Sequence, residues 1–365
     1  LFRRATGLCG WRRSDRDAVV RGMPSPVFCA TRPDGSSLKM SDSVRKLRLA
    51  AMTLMACLLV SGCAPVPGYE RLEGGTMGTY YRVTVFCPGV SAADLKHRLE
   101  AELTAVNDQM STYQADSELM RFNAAPPGDW VEVSSDLLAV LTAAREISVR
   151  SAGAFDVTVS ELVNLWGFGP DGRISSRPSA ERIAAAMARV GHEHLELDPS
   201  AQRIRRLTPL TVDLSAIAKG HAVDRLAEVM LAGGCEHFLA DIGGEVRAHG
   251  LNPSGGAWRV GVEVPDPERI GSIQRVLVLD SVAVATSGDY RNFFDLNGER
   301  YSHTIDPVSG KPIRHKLASV TVLDPSCARA DALATALMVL GEEKGRLFCE
   351  KNQIAAYFQI HEKTA

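Results

Sequence analysis

Residues 302–341 combine side chains that can carry out metal-assisted chemistry. His303 and Asp306 lie among turn-forming residues, which predicts a loop that presents a titratable imidazole. Asp331 and Thr335 follow four residues apart in a helical pattern, so their side chains share one helix face. A carboxylate and a hydroxyl placed together can bind a small, hard cation. The pattern therefore indicates metal-assisted chemistry on an anionic substrate.

A second segment of interest is VDLSAIAKGHAVD, residues 212–224. Asp213 ends an apolar stretch, and small residues lead from it to Lys219 and the start of a predicted helix. Small side chains let the backbone approach a ligand closely, and a helix N-terminus favours phosphate. The pattern is equally typical of a tight strand-to-helix turn in which Asp224 is a cap or is solvated, so both interpretations stay open.

The glycine-rich segment GGTMGT, residues 74–79, is similar at first sight to a dinucleotide-binding loop. In such a loop the glycines follow a strand and open a helix, whereas here they precede the alternating segment YYRVTVF. The P-loop pattern GxxxxGK[ST] is not found, because Ser309-Gly310-Lys311 lacks the leading glycine. Both of these nucleotide-binding folds are therefore disfavoured, and a turn is the simpler interpretation of GGTMGT.

Taken singly, the candidate residues also have structural explanations. An aspartate such as Asp331 in a first helical turn stabilises the helix by interacting with its dipole. A lone histidine such as His303 is commonly a hydrogen-bonding residue without a catalytic role. Aromatic side chains belong by default to the core, which applies to Tyr113, Phe155, Trp166 and Phe168. A functional interpretation must therefore depend on the whole set of motifs.

Helical and strand patterns are mixed along the chain. Apolar spacing predicts helices over residues 91–110, 134–148, 156–166, 179–190, 221–231, 328–340 and 343–351. Short alternating or apolar segments predict strands over residues 80–86, 195–197, 203–206, 210–214, 238–242, 245–250, 258–264, 276–279, 283–287, 293–296, 317–323 and 355–360. A βαβ rhythm is not found, so we expect an α+β fold, a single large domain of mixed helices and antiparallel sheets.

Composition limits the classes of partner. The 365 residues are 45% hydrophobic and 23% charged, as in an ordinary soluble globular protein. Residues 63–365 contain 30 basic and 39 acidic residues, a net charge of −9. Such an acidic surface argues against nucleic acid as a partner.

Beyond Cys63 the chain has four cysteines: Cys87, Cys235, Cys327 and Cys349. None forms a CxxC pair, so zinc and thioredoxin-like sites have no support. An exported protein could oxidise them, but the sequence leaves their pairing open.

Residues 40–62 have the pattern of a secretory signal: a basic segment, then an apolar run too short to span a bilayer. The run ends in Val-Ser-Gly before Cys63, which is similar to the lipobox of bacterial lipoproteins and predicts lipidation of Cys63; the alternative is an incidental cysteine. Residues 1–39 would then precede the true start or form a disordered extension. Residues 63–71 would be the lipidated cysteine and a tether, and residues 72–365 the folded domain.

Seven motifs occur in order along the chain: GGTMGTYYRVTV, MSTYQADSELMRFN, GAFDVTVSELVNLWGFGP, VDLSAIAKGHAVD, LADIGGEVRAHG, TSGDYRNFF, and HTIDPVSGKP with the following SVTV and ADALATALMVLG. Together they resemble the ApbE family, the FAD:protein FMN transferases. The resemblance extends from residue 72 to residue 358 and implies an ApbE-like, T-fold type of α+β architecture.

The resemblance implies Mg²⁺-dependent transfer of FMN from FAD to a threonine or serine hydroxyl of an exported protein, with release of AMP. It implies a catalytic His303, which Asp306 could orient, and Mg²⁺ bound by Asp331, Thr335 and the backbone carbonyl of Ala216. The residues that it implies for FAD binding are Met77, Tyr113, Ala154, Phe155, Asp156, Asp213, Lys219 and Ile305. Mg²⁺ prefers such oxygen donors, and a histidine can accept the hydroxyl proton.

The family also implies partners and a location. The acceptors would be exported subunits of Rnf-type or Na⁺-pumping NADH:quinone reductase complexes. The lipid anchor would hold the enzyme at the periplasmic face of the bacterial inner membrane; Ala64 provides no aspartate retention signal, so the outer membrane is the alternative. Two other activities fit the same motifs: Mg²⁺-dependent hydrolysis of FAD to FMN and AMP, and binding of FAD without turnover. The chain departs from the family in having Ala334 where some members have an acid, and in ending at Ala365.

Overall fold

A computed structural model describes residues 68–169, 172–269, 271–290, 292–296 and 298–361 of the protein. The expected extension, the signal peptide and the lipidated Cys63 all lie outside the described residues. Gly68–Ala365 form one compact unit. Within the described ranges, no helix combines the length and the apolar character needed to cross a membrane.

The secondary-structure elements are named here in chain order. The strands are β1 Tyr69–Thr76, β2 Thr79–Phe86, β3 Val131–Glu132, β4 Leu195–Asp198, β5 Arg203–Arg206, β6 His237–Ile242, β7 Glu245–His249, β8 Trp258–Glu263, β9 Ile273–Leu279, β10 Ala283–Gly288, β11 Phe293–Leu296, β12 Glu299–Ser302, β13 Ile305–Asp306, β14 Lys311–Pro312, β15 Leu317–Asp324 and β16 Ala355–Ile360. The α-helices are α1 Ala92–Met110, α2 Glu118–Ala124, α3 Ser135–Arg150, α4 Ser160–Leu165, α5 Ala180–Met187, α6 Ala218–Ala232 and α7 Cys327–Asn352. Short 3₁₀ helices lie at His192–His194, Pro199–Ala201 and Pro267–Arg269.

A seven-stranded sheet in the order β1-β2-β6-β7-β10-β15-β16 forms the centre of the fold, and each neighbouring pair is antiparallel. The expected α+β class with antiparallel sheets is therefore confirmed. Alternation along each strand selects its buried face: in β2, Tyr81, Val83 and Val85 are buried while the residues between them are more exposed. Helices α6 and α7 pack against this sheet and against each other.

The two faces of strand β7 differ: one packs in an apolar cluster, and the other carries charged side chains. Val246 and Ala248 pack with Trp258 of β8, in a small apolar cluster shared with the β8–β9 hairpin. Because side chains alternate along a strand, Glu245 and Arg247 project to the opposite face, toward α6. The strand therefore carries a charged residue, Glu245, to the helix side of the sheet.

Helix α7 bends at Gly341, whose φ of 73° lies in the left-handed region that favours glycine. Near the bend, the His315 ring Nε2 lies 2.7 Å from the carbonyl oxygen of Met338. The two helices predicted over residues 328–340 and 343–351 meet at this bend. Helix α7 packs against β10 and β15, and the turns after the bend lead to β16.

Two predicted elements around the segment GAFD are different in the structure. The helix expected over residues 156–166 begins only at Ser160, because Asp156 accepts a hydrogen bond from the Thr158 backbone N–H and holds the chain in a turn. The strand expected over residues 210–214 does not form. Thr211 makes one isolated bridge with Val159 instead.

Strand β1 and helix α2 are among the elements that the sequence patterns did not predict. Strand β1 includes Tyr69, Glu70 and Arg71, which precede the expected domain start at residue 72, because β1 pairs with β2 along its whole length, from Tyr69 opposite Phe86 onward. The glycines of GGTMGT thus lie partly in a strand, with the turn confined to residues 77–78. Helix α2 was not predicted, although the Ser117 hydroxyl caps it by accepting from the Met120 N–H.

The cysteine pairing left open by the sequence is resolved within the described residues. A disulfide joins Cys87, just after β2, to Cys235, just before β6, across 148 residues of sequence. These positions are neighbours because β2 and β6 pair with Phe86 opposite His237. Cys327 and Cys349 are buried and are not part of this disulfide. The disulfide therefore closes one end of the β2–β6 ladder.

Candidate functional site

A cavity of about 610 Å³ lies between the first turns of α6 and α7, the start of β7, the end of β10 and the segment around β13. The predicted site residues that line it are Tyr113, Ala154, Phe155, Asp156, Asp213, Ala216, Lys219, His303, Ile305, Asp331 and Thr335. Met77 does not line it but lies in the β1–β2 turn, with a φ of 49°. The tertiary structure thus brings together residues that are up to 222 positions apart, Tyr113 to Thr335.

Two aspartates cap each other's helices where α6 and α7 meet. Asp224 of α6 accepts hydrogen bonds of 3.0 Å from the backbone N–H groups of Cys327 and Ala328, at the start of α7. In return, Asp331 of α7 accepts a hydrogen bond of 3.1 Å from the Gly220 N–H, in the first turn of α6. Each carboxylate satisfies N–H groups that the helix itself leaves free, at the positive end of a helix dipole. The capping interpretation of Asp224 is therefore confirmed, and Asp331 is held at the cavity wall.

This exchange of caps requires a glycine at position 220. A Cβ atom there would lie 2.3 Å from the backbone carbonyl oxygen of Cys327, a distance that no packing adjustment of a side chain can relieve. Because Gly220 has no side chain, α6 and α7 approach closely enough for Asp331 to reach its N–H. The small residues of the segment AKG thus serve helix packing as well as ligand access.

The oxygen donors suited to a cation share one part of the cavity. Asp331 is 4% exposed, and Thr335 lies one turn later on the same face, with its Oγ1 atom 3.1 Å from Ser287 Oγ of β10. Ala216 lines the cavity from the loop before α6. A carboxylate, a hydroxyl and a backbone carbonyl form a donor set of the type that Mg²⁺ prefers. Among the described residues no cluster of three or more His, Cys, Asp or Glu side chains could hold a metal, so ligand or water oxygens would complete the shell.

Lys219 lies between two carboxylates in this cavity. Its Nζ atom is 2.7 Å from Glu245 Oε1 and 3.8 Å from Asp331 Oδ2. Burial alone would lower the pKa of Lys219, but the two carboxylates outweigh it and raise that pKa, so the amine stays charged. Burial raises the pKa of Glu245 to about 7, against the opposing effect of Lys219. The second oxygen of Glu245, Oε2, is buried and has no hydrogen-bond partner within the described part of the chain.

The imidazole of His303 is oriented by a backbone carbonyl. Its Nδ1 atom lies 2.9 Å from the Asn292 carbonyl oxygen, which can only accept, so Nδ1 carries the proton in the neutral ring. Nε2 then carries the free lone pair. Burial lowers the pKa of His303, which favours this neutral form. Asp306 does not orient the ring as expected, because its carboxylate accepts from the Val308 N–H. The geometry supplies a neutral imidazole with one free basic nitrogen.

Asp156 of the GAFD motif lines the cavity but uses its carboxylate inside the protein. Oδ1 accepts from the Thr158 N–H at 2.8 Å, and Oδ2 accepts from the His192 N–H at 2.9 Å and lies 3.2 Å from His192 Nδ1. Burial opposes ionisation of Asp156, but these hydrogen bonds outweigh it and lower its pKa. Conversely, Asp156 raises the pKa of His192. Asp156 therefore fixes the shape of the segment that presents Ala154 and Phe155.

The remaining predicted residues differ in how accessible they are. Tyr113 is 78% exposed at the cavity wall, whereas Phe155 and Ile305 are buried. The Asp213 carboxylate accepts from the Ser215 N–H at 2.8 Å, so it shapes the turn before α6. An exposed aromatic ring on a cavity wall is suited to stacking on a planar ligand.

Three residues of the site were not singled out in the sequence: Glu245, Ser287 and Asn292. A signal existed for Glu245, since it is a charged residue at the inward position of an alternating strand, directly after Gly243-Gly244. For Ser287 and Asn292 no local pattern was informative. Their roles depend on contacts with Thr335 and His303, which come from other parts of the chain.

Known proteins of one family are similar to this chain. Residues 77–358 match the model of the ApbE family. This chain belongs to the ApbE family. A protein of Vibrio cholerae named FAD:protein FMN transferase is 44% identical over 305 residues, covering 83% of this chain and 91% of the relative. The protein of that name from Escherichia coli K12 is 39% identical over 318 residues, covering 83% of this chain and 90% of the relative.

Solved structures of ApbE proteins have the same fold. The flavin transferase ApbE from Vibrio cholerae superimposes with a TM-score of 0.75 at 43% identity, covering 81% of this chain and 94% of that one. The ApbE protein from Thermotoga maritima gives a TM-score of 0.72 at 30% identity, with 80% and 94% covered. The ApbE-like architecture expected from the motifs is therefore confirmed for the described domain.

Proposed function

We propose that this ApbE protein transfers FMN from FAD to a threonine or serine hydroxyl of an exported acceptor protein and releases AMP. The observation that carries the proposal is the single cavity in which Asp331, Thr335, Ala216 and His303 meet. Family membership and the names of the relatives support the transferase reaction. The acidic surface, with a net charge of −9 over residues 63–365, is consistent with a substrate site that excludes nucleic acid polymers.

The reaction requires a hydroxyl oxygen to attack the phosphorus of the FMN phosphate. A new phosphate ester bond forms between the hydroxyl oxygen and this phosphorus. The bond from the same phosphorus to the oxygen that bridges the two phosphates breaks, and AMP leaves with that oxygen and the electron pair of the broken bond. His303 Nε2 is free to take the hydroxyl proton, because Nδ1 faces the Asn292 carbonyl oxygen. General base catalysis of this kind contributes about 10²- to 10⁴-fold in rate.

The donor set at Asp331, Thr335 and Ala216 fits Mg²⁺, and we propose that these residues hold it beside the FAD phosphates. When bound, the ion would neutralise negative charge on the phosphoryl oxygens. Lys219 would contribute a second positive charge, since its pKa is raised by Asp331 and Glu245 despite burial. Exposed Tyr113 and buried Phe155, with Ala154 and Ile305, would bind the flavin portion of FAD.

The test uses purified protein, FAD, MgCl₂ and a flavinylatable subunit of a Na⁺-pumping NADH:quinone reductase. We expect a fluorescent acceptor band on a denaturing gel and one AMP for each flavin attached. Asp331→Asn should abolish the band while the fold is kept, because asparagine retains an oxygen for the Gly220 N–H but loses the negative charge. Thr335→Ser, which keeps the hydroxyl, is the matched control. AMP release at a rate that the acceptor does not change would instead identify FAD hydrolysis, and FAD binding without AMP would identify a binding protein.

We further propose that the protein works outside the cytoplasm on a lipid anchor at Cys63, at the periplasmic face of the inner membrane. The disulfide between Cys87 and Cys235 supports an oxidising compartment. The signal-like residues 40–62 support export. Labelling cells with a palmitate analogue should mark the wild type and not a Cys63→Ala variant, and fractionation would tell the inner from the outer membrane. Equal labelling of both proteins would contradict the anchor.

A further inference from the structure

A second groove, of about 410 Å³, lies on the other side of the chain segment that carries His303. We name it the basic groove; it is lined mainly by Trp166, Arg177, Tyr301, Lys311, Arg314 and His315. Residues 303–305 and Pro307 of the segment line the catalytic cavity, while Asp306, Ser309 and residues 311–315 line the basic groove. Val339 of α7 lines both. The two sites therefore share a wall.

The basic groove carries positive charge, whereas the polypeptide as a whole is acidic. Neither Arg177 nor Lys311 has a carboxylate oxygen within 4.0 Å among the described side chains, while Arg314 pairs with Glu299 at 2.7 Å. The charge of Arg177 also helps to lower the pKa of Glu299, so Glu299 partly balances both arginines. Asp306, opposite Lys311 on the β13–β14 hairpin, is the acidic residue in the lining. These charges leave an excess of positive charge in a polypeptide whose residues 63–365 have a net charge of −9. Nearby positive charge on an acidic surface attracts an acidic partner.

The floor of the basic groove is rigid. The Trp166 and Tyr301 rings are stacked with their centroids 5.5 Å apart, and both residues are buried. Trp166 Nε1 donates a hydrogen bond of 2.8 Å to the Gly310 carbonyl oxygen, which anchors the β13–β14 hairpin. The Arg314 guanidinium lies 5.2 Å from the centroid of the Tyr301 ring. A packed aromatic floor with the exposed cations Arg177, Lys311 and Arg314 around it is suited to hold an extended acidic segment.

We propose that the basic groove binds an acidic segment of the acceptor polypeptide and thereby presents the acceptor hydroxyl to His303. The inference rests on the proposed transferase function. Continuity supports this occupant, because Asp306 is three residues from His303, and three residues of extended chain span at most about 11 Å. An acceptor that lies in the groove could therefore reach the catalytic wall with its neighbouring residues.

The test compares the double variant Arg177→Glu/Lys311→Glu with the wild type. The probe is a fluorescently labelled subunit of a Na⁺-pumping NADH:quinone reductase, and the readouts are its equilibrium binding and the KM and kcat of its flavinylation. We expect Kd and KM for the acceptor to rise about tenfold or more, with kcat and the Kd for FAD within twofold of the wild type. The matched control is Arg71→Glu, an exposed arginine of β1 that lines neither site and should leave Kd and KM unchanged.

Each outcome bears on one claim. Acceptor binding by the double variant as tight as by the wild type would overturn the basic groove as a docking site. Weaker binding to vesicles of phosphatidylglycerol, with acceptor binding unchanged, would show a lipid contact and overturn it as well. If the wild type binds the acceptor through the groove but attaches no flavin, the proposed function fails while the groove stands. The milder variant Arg177→Gln/Lys311→Gln should give an intermediate Kd, which guards against misfolding of the double charge reversal.

Discussion

Lys219 and Glu245 form an ion pair inside the cavity that His303 lines, with 2.7 Å between Nζ and Oε1. Lys219 comes from the first turn of α6 and Glu245 from the first position of β7, so the pair joins helix and sheet. With Asp331 at 3.8 Å from Nζ, the cavity holds two carboxylates around one ammonium group. The two carboxylates keep Lys219 protonated where the proposed substrate carries phosphates.

Removing the carboxylate of Glu245 should destabilise the protein. Glu245→Ala leaves the Lys219 amine without its hydrogen-bond acceptor, and we expect a loss of about 2 kcal/mol in the free energy of unfolding, the range for hydrogen bonds to charged groups. Urea unfolding at neutral pH measures the change. Glu245→Gln keeps an acceptor oxygen and should lose less than half as much. Equal stability of the alanine variant and the wild type would show that the pair contributes nothing.

Gly220→Ala should disturb the contact between α6 and α7. The added Cβ would meet the Cys327 carbonyl oxygen at 2.3 Å, so the helices must separate and the Asp331 cap is lost. Overpacking of this kind costs about 1–3 kcal/mol. The readouts are the thermal midpoint and the Mg²⁺ concentration needed for half-maximal flavin transfer, which should rise. Gly75→Ala is the control, since the atom nearest to its added Cβ is 3.8 Å away; an unchanged Mg²⁺ requirement in Gly220→Ala would refute the argument.

The rate of flavin transfer should fall at acidic pH through a pKa below 6.5. Burial lowers the pKa of His303 from its ordinary value of 6.5, with Lys219 and Arg173 acting in the same direction and the Asn292 hydrogen bond and Asp289 opposing. The proposed base is the neutral ring, so activity is present above this pKa and is lost as the ring becomes protonated below it. A profile of kcat between pH 5 and 8 measures the midpoint, which burial of the ring should place below the ordinary histidine value of 6.5. A midpoint above 6.5, or an unchanged profile in His303→Ala, would contradict His303 as the base.

Loss of the Cys87–Cys235 disulfide should lower stability without removing the site. The bridge closes a loop of 148 residues, and native disulfides of this kind contribute about 2–5 kcal/mol. We expect a lower thermal midpoint for Cys87→Ser/Cys235→Ser and for the wild type in dithiothreitol. The reductant should have no further effect on the double variant, since Cys327 and Cys349 are not part of a disulfide. A thermal midpoint of the wild type that does not respond to reduction would show that the bridge is not formed or not stabilising.

Local sequence patterns predicted much of this protein. Helical spacing put Asp331 and Thr335 on one face, and both line the cavity. Strand alternation identified most of the central sheet, and seven ordered motifs identified the family. These features depend on residues within a few positions of one another, whose relation is set by the geometry of a single helix or strand.

The tertiary structure determined the partners that these residues contact from distant parts of the chain. Sequence alone did not predict the disulfide between Cys87 and Cys235 or the ion pair between Lys219 and Glu245. It also suggested Asp306 as the hydrogen-bond partner of His303, whereas the partner is the Asn292 carbonyl oxygen. It also left open whether Asp224 was a cap, because the capped N–H groups belong to Cys327 and Ala328, more than a hundred residues away. The physical reason is that such partners are chosen by strand register and by the close approach of α6 and α7 at Gly220. Neither of these leaves a periodic signal in the chain.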